Sequence, residues 1–267
     1  MRRAVFLAIV LLFTLAAPVA AAAPNDTQAN AIPISTGTTV TEDTTAADAT
    51  DPVEDALNEF CGAPAVEHGV WFSVTVGTDR FVSFDTTDSD YSVGLMLFPS
   101  TVSAANLINC GPGQIIDELL AGETYYLLVF GDGGSAATSG TMILRVEEVL
   151  PPPEISLTIS KNGTVDKSGV AHIRGTVTCT SENDAGILFE VFGDVSQKVG
   201  RVIIRGFFDS FLETPCDGTT RPWEASVFAD NGLFAGGKAA TVAIAFGCTD
   251  ICSEGFAEAT IQLRKGR

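Results

Sequence analysis

The sequence predicts an all-β chain of two antiparallel β-sandwich domains, the first jelly-roll-like and the second immunoglobulin-like or a similar sandwich. Three observations carry this. Apolar and polar residues alternate with period two over many short segments, Gly and Asn or Asp turn residues separate those segments, and three consecutive prolines, Pro151 to Pro153, divide the six cysteines two and four.

The segments can be taken in order. Trp71, Ser73 and Thr75 alternate with Val74 and Val76 across a strand expected at Gly69 to Val76, and Arg80 to Asp85 and Tyr91 to Phe98 follow at short intervals. Thr124 to Gly131 is a continuous apolar strand, and Thr141 to Glu147 completes the first set. Beyond the prolines the rhythm resumes at Ile155 to Ser160, Val170 to Cys179, Gly186 to Phe192, Arg201 to Phe208, Trp223 to Phe228, Ala239 to Phe246 and Phe256 to Leu263. Trp223 reads as a core residue, because a lone Trp within a strand pattern packs against the sheet. Leu107 to Leu120 is the stretch where a short helical turn is expected. Asn25 to about Asp51, rich in Thr, Ala and Asp, is expected to be loosely packed in part.

Residues 1–23 read as a signal peptide: Arg2 and Arg3, an apolar run to about Ala17, then small residues with cleavage between Ala20 and Ala23. That run is too short to span a bilayer well, and no later apolar run reaches spanning length. Residues 24–148 form the first expected domain and 154–267 the second. Residues 149–153 form a stiff linker, since consecutive prolines offer no ladder donors. Loss of Arg2 and Arg3 leaves thirteen basic residues against thirty-three acids and moves the net charge from −18 to −20. Nucleic acid and anionic membranes need a basic face, so neither is an expected partner.

The first half resembles a known family. Asn25, Asp26, Thr27, Ala29, Asn30 and Ala31, then Cys61 and Gly62, Val70 to Phe72, Phe84 to Thr86, Ser89 and Asp90, Asn109 and Cys110, and Ala121, Gly122 and Thr124 to Tyr126 are similar to the bacterial pre-peptidase C-terminal domain. The resemblance covers about Pro24 to Glu148. It implies a small jelly-roll sandwich serving as an accessory module of secreted proteins, without catalytic residues of its own. Ser92 and Gly111 to Gly113 stand where that family usually carries acids, which weakens a calcium site built on Asp85, Asp88 and Asp90. Calcium takes six to eight oxygens, and alternate residues on a strand face opposite ways, so a turn with Asx hydrogen bonds is the preferred reading there. The second half, through Gly175 to Cys179, Cys216 to Thr219, Trp223 and Ala243 to Cys252, is similar to an uncharacterised domain of secreted actinobacterial proteins, which brings no function with it.

Cys61 and Cys110 are the two cysteines of the first domain and are expected to pair. Cys179, Cys216, Cys248 and Cys252 allow three pairings, of which Cys179 with Cys216 and Cys248 with Cys252 is preferred. No Cys-x-x-Cys spacing supports zinc, and an oxidising compartment favours disulfides. Nothing in the sequence calls for a cofactor.

His68 and His172 are the two histidines, and no Gly-x-Ser-x-Gly elbow accompanies them. Acid pairs such as Asp117 with Glu118 and Glu147 with Glu148 have no fixed separation across a cleft. Gly131 to Gly134 lacks the Lys-Ser or Lys-Thr pair of a phosphate loop. The expected function is therefore that of a secreted, non-catalytic binding or stabilising module for an extracellular protein or glycan, with Trp71, Tyr91, Tyr125 and Tyr126 as rings to test for sugar contact. The alternative is a secreted hydrolase with an acid and histidine site at the domain junction. Alkylation of the unreduced protein is expected to label none of its six cysteines; mass spectrometry that finds six modified thiols would refute the disulfide framework.

Overall fold

The computed structural model describes residues 23–133 and 137–266, so the predicted signal segment up to residue 22 lies outside the described residues, as does Gly134. Most of the described chain is strand. It divides into two compact units, the first running to Val146 apart from two short pieces, Thr78–Ser83 and Glu118–Leu120, which group with Glu147–Arg267 in the second.

The first nine strands are β1 (Ile32–Ile34), β2 (Thr38–Asp43), β3 (Glu67–Thr75), β4 (Arg80–Asp85), β5 (Val93–Phe98), β6 (Asn109–Pro112), β7 (Gln114–Leu119), β8 (Thr124–Gly131) and β9 (Thr141–Val149). A short α-helix, α1 (Pro52–Leu57), stands between β2 and β3. Asp51 caps it by accepting from the Val53 amide at 2.7 Å, and Pro52 occupies the first turn, where a missing N–H costs nothing. One sheet has the order β1-β3-β8-β5-β6 and the other β2-β9-β4-β7. Every residue of β5 is buried, so this central strand is covered on both faces. Leu95, Leu97, Leu127 and Val129 lie on one face of the first sheet. On the other, Trp71, Met96, Phe98, Leu128 and Phe130 form a second cluster with Leu57 of α1, and partly buried Cys61 and Cys110 pack against it. The Cys61–Cys110 disulfide thus ties the segment after α1 to β6.

One expectation is refined here and another changes. Asn25 to Asp51 is anchored at its start: Asn25 is fully buried, its side-chain amide donates to the Trp71 carbonyl at 3.1 Å and to Glu42 at 3.2 Å, and β1 pairs in parallel with β3, while Asp48 to Thr50 are exposed. The polar composition of this stretch gives no sign of that anchoring, because the Trp71 carbonyl that Asn25 meets is distant in sequence. Leu107 to Leu120 holds no helical turn. After a short 3₁₀ turn at Ala104–Asn106 it forms β6 and β7, which belong to different sheets, and Gly113 turns the corner between them at φ +73°.

The second unit adds β10 (Glu154–Ile159), β11 (Asn162–Val165), β12 (Ala171–Thr180), β13 (Ile187–Val199), β14 (Val202–Pro215), β15 (Asp217–Val227), β16 (Gly237–Cys248) and β17 (Cys252–Lys265). β12 pairs antiparallel with β15 and β10, while β17-β16-β13-β14 forms an antiparallel run. β11 joins the two halves by pairing antiparallel with β12 and parallel with β17. The strand order suits an immunoglobulin-like sandwich whose halves are hydrogen-bonded into one folded sheet. Strict alternation in β12, β14 and β16 sends Ile173, Val177, Ile204, Phe208, Ala243 and Ala245 into one core around Trp223. The Cys179–Cys216 disulfide joins the end of β12 to the start of β15, and Cys248–Cys252 closes the β16–β17 hairpin. That hairpin also holds the prolines: Thr249 donates to the Pro151 carbonyl at 2.7 Å and Ser253 to that of Pro153.

Trp223 stacks on Phe208 with ring centroids 5.7 Å apart and donates its indole N–H to the Thr158 carbonyl at 3.1 Å. This geometry requires Gly175, because a Cβ there would stand 1.9 Å from the Thr158 oxygen and 2.6 Å from the indole nitrogen. Gly175→Ala is expected to destabilise the protein by about 2 kcal/mol, read as a lower urea midpoint; an unchanged midpoint would contradict this packing.

Candidate functional site

Several residues singled out in the sequence are committed to structure. Trp71, Tyr91 and Tyr125 are buried and Tyr126 is partly so, so none of the four offers an open ring to a sugar. Burial pushes the Tyr91 hydroxyl up to about 12, while Thr44 donates to it at 3.1 Å. The three aspartates of the calcium reading have separate partners: Asp85 accepts from Thr87, Asp88 pairs with Arg145, and Asp90 accepts from the Thr141 amide at 2.9 Å. His68 lies in β3, partly buried at a bulge rather than in a surface loop, with φ +52° and its Nδ1 2.9 Å from the Ala47 carbonyl. Glu148 pairs with Arg80, and Asp117 accepts from Asn109 at 3.2 Å.

An unexpected carboxyl is Glu54, in α1 and only 3% exposed. Its Oε1 accepts the Trp71 indole N–H at 2.6 Å, and the absent side chain of Gly69 leaves it room. Burial raises its pKa to about 7, opposed by the Trp71 hydrogen bond and reinforced by Asp51, Asp26 and Asp55.

Two surfaces of the second unit remain. The first is a concavity of about 520 Å³ lined by Asn162, Thr164, His172, Arg174, Glu224, Ser226 and Arg264, among others. Registry places Arg264, Thr164, His172 and Ser226 side by side on β17, β11, β12 and β15. Ser226 Oγ lies 3.1 Å from His172 Nδ1, and His172 Nε2 lies 3.6 Å from Asp166 Oδ2. The Ser168 hydroxyl and the Val170 and Ser168 amides hold the Asp166 carboxyl below its usual range. This order of groups is that of a serine triad, but His172 and Asp166 are 46% and 43% exposed, so water screens the pair that a triad keeps dry.

The second surface is the outer face of β14-β13-β16-β17. Opposed residues on antiparallel neighbours share a face, so registry sets Phe211, Glu190, Phe246 and Glu254 in one row. The next row is Asp209, Phe192, Ile244 and Phe256, and the third is Phe207, Asp194, Val242 and Glu258. Phe211 is 78% and Phe256 64% exposed, Phe207 is also open, and exposed Phe189 meets Phe246 at 6.2 Å. An aromatic face of this width, interleaved with five acids, is absent from the sequence reading. Its signal was the adjacent pair Phe207 and Phe208, since in an alternating strand one of two neighbours must face out.

No family model matches the chain. No curated protein matches it either. Among solved structures it is similar to a protein of Eubacterium rectale described as secreted, at 11% identity and TM-score 0.26 over 85% of this chain and 75% of that one. A GH2 β-galacturonidase of Eisenbergiella tayi gives 9% and 0.23 over 79% and 38%, and a β-glycosidase of Bacteroides vulgatus 10% and 0.25 over 73% and 25%. The chain spans well under half of either glycosidase, and TM-scores this low carry no argument about function.

Glu54 yields a pH prediction. Its folded pKa, near 7, lies above the value of about 4.5 it has when unfolded, so its contribution to stability is complete below pH 4.5 and is lost as pH rises through 7. The loss is on the order of 3 kcal/mol. Urea titrations followed by Trp fluorescence should show Glu54→Gln flattening this dependence; identical pH profiles for the two proteins would exclude it.

Proposed function

We propose that the chain is a secreted, non-catalytic binding module that holds an extracellular protein on the aromatic face of its second sandwich. The observation that carries the reading is the exposed set Phe207 and Phe211 on β14, Phe189 on β13 and Phe256 on β17, three strands of one four-strand run. Contiguous apolar area of this kind is costly to leave in water and marks interaction surfaces. The partner is a protein rather than a sugar, because phenylalanine has no polar tip to orient hydroxyl groups and the face is broad, roughly 15 Å across its strands. Glu190, Asp194, Asp209, Glu254 and Glu258 between the rings call for a partner whose apolar patch is rimmed by Lys or Arg.

Three disulfides fit an oxidising compartment, and among the described residues no helix is long and apolar enough to cross a membrane. In the same reading residues 24–148 are a pre-peptidase C-terminal-type accessory module. Support comes from the residue motifs along Asn25 to Tyr126, the two-sheet arrangement and the Cys61–Cys110 bond.

A second reading, a hydrolase, is favoured by the single alignment of Ser226, His172 and Asp166. The two readings separate in one set of variants. Phe207→Ser with Phe256→Ser should keep the melting temperature, since both side chains face solvent, and should lose salt-sensitive capture of extracellular proteins by at least tenfold. Capture unchanged by that double variant would refute the aromatic face, and ester hydrolysis abolished by Ser226→Ala would establish the enzyme instead.

A further inference from the structure

The polar groove of the second unit offers chemistry that the aromatic face does not use. Arg174 on β12 and Arg264 on β17 both line it, and neither guanidinium forms a hydrogen bond or ion pair among the described residues. Arg80, Arg145 and Arg221 are each closed onto a carboxylate, whereas Arg174 and Arg264, like Arg201 and Arg205, are not, and of these four only Arg174 and Arg264 line the groove. Glu224 stands opposite Arg174 in the β12–β15 register without closing an ion pair. β11, with Asn162 and Thr164, lies between β17 and β12, and His172 and Ser226 continue the polar row beyond Thr164.

Free guanidiniums on a concave wall are built for an oxyanion, because each presents a planar fork of donors that matches a carboxylate. A bare dianion suits the groove poorly, since Glu224 on its wall and Asp166 beside His172 would repel extra charge. Those same carboxylates accept hydrogen bonds from hydroxyl groups. The volume, about 520 Å³, lies within the range of small-molecule sites and admits one or two sugar rings.

We propose that this groove binds a sugar acid, with Arg174 and Arg264 on its carboxylate and Asn162, Thr164 and Glu224 on its hydroxyls. The site is separate from the protein-binding face and stands or falls independently of it. Arg174 and Arg264 are exposed on outward strand positions, so replacing them with glutamine leaves the core untouched.

The test is calorimetric titration of the full mature chain with glucuronate, with glucose and inorganic sulfate as controls. Saturable glucuronate binding is expected, weakened about tenfold by Arg174→Gln or Arg264→Gln at unchanged melting temperature, with glucose silent. Absence of saturable glucuronate binding, or binding that both variants retain, would overturn the site. Sulfate that binds as tightly as glucuronate would reduce it to a plain anion site, and glucose that binds as tightly would remove the role of the arginines.

Discussion

The second sandwich depends on one short strand. β11 pairs antiparallel with β12 on one side and parallel with β17 on the other, and this double pairing turns two half-sheets into one folded sheet around Trp223. Gly163 permits it, because a Cβ there would stand 2.8 Å from the His172 carbonyl and 2.9 Å from the Leu263 side chain. The same pairing sets Arg264, Thr164, His172 and Ser226 in a row. Without β11 the residues of the groove would sit on separate sheets, so closure of the core and assembly of the groove are one event.

Surface chemistry in this unit follows from the same periodicity. Each strand that sends one residue to the core sends its neighbour to solvent, and in β13, β14, β16 and β17 many of those neighbours are aromatic or branched rather than polar. A stable core does not need them, since Ile204, Phe208, Val191, Ala243 and Ala245 already fill the inner face. The outward rings thus add little to folding, which is the physical ground of the proposed interaction face. The acids among them keep the exposed face compatible with water.

Within the first unit the organising feature is a doubly covered central strand. β5 is buried on both faces only because α1 and the segment closed by Cys61–Cys110 lie over the side that carries Met96 and Phe98. This cover brings Glu54 onto Trp71 and explains why a carboxyl is buried at all. Its residues follow a polar, Thr- and Asp-rich stretch in which no amphipathic period is visible. Asn25 and Glu54 are held there by groups distant in sequence, the Trp71 carbonyl and the Trp71 indole N–H.

By itself the sequence determined the all-β class, the division of cysteines by Pro151 to Pro153, most strand positions and the core role of Trp223, because period-two alternation and turn residues act over a few neighbours. Boundaries ran short in β13, β14 and β15, where solvent-facing apolar residues blurred the alternation. Only the tertiary structure decided which of Phe207 and Phe208 faces out, that Ser226 and Asp166 flank His172, and that Arg174 and Arg264 share a groove. Each of those facts depends on which strands are neighbours, and strand pairing joins residues as far apart as Thr164 and Arg264 through hydrogen bonds that carry no local signature.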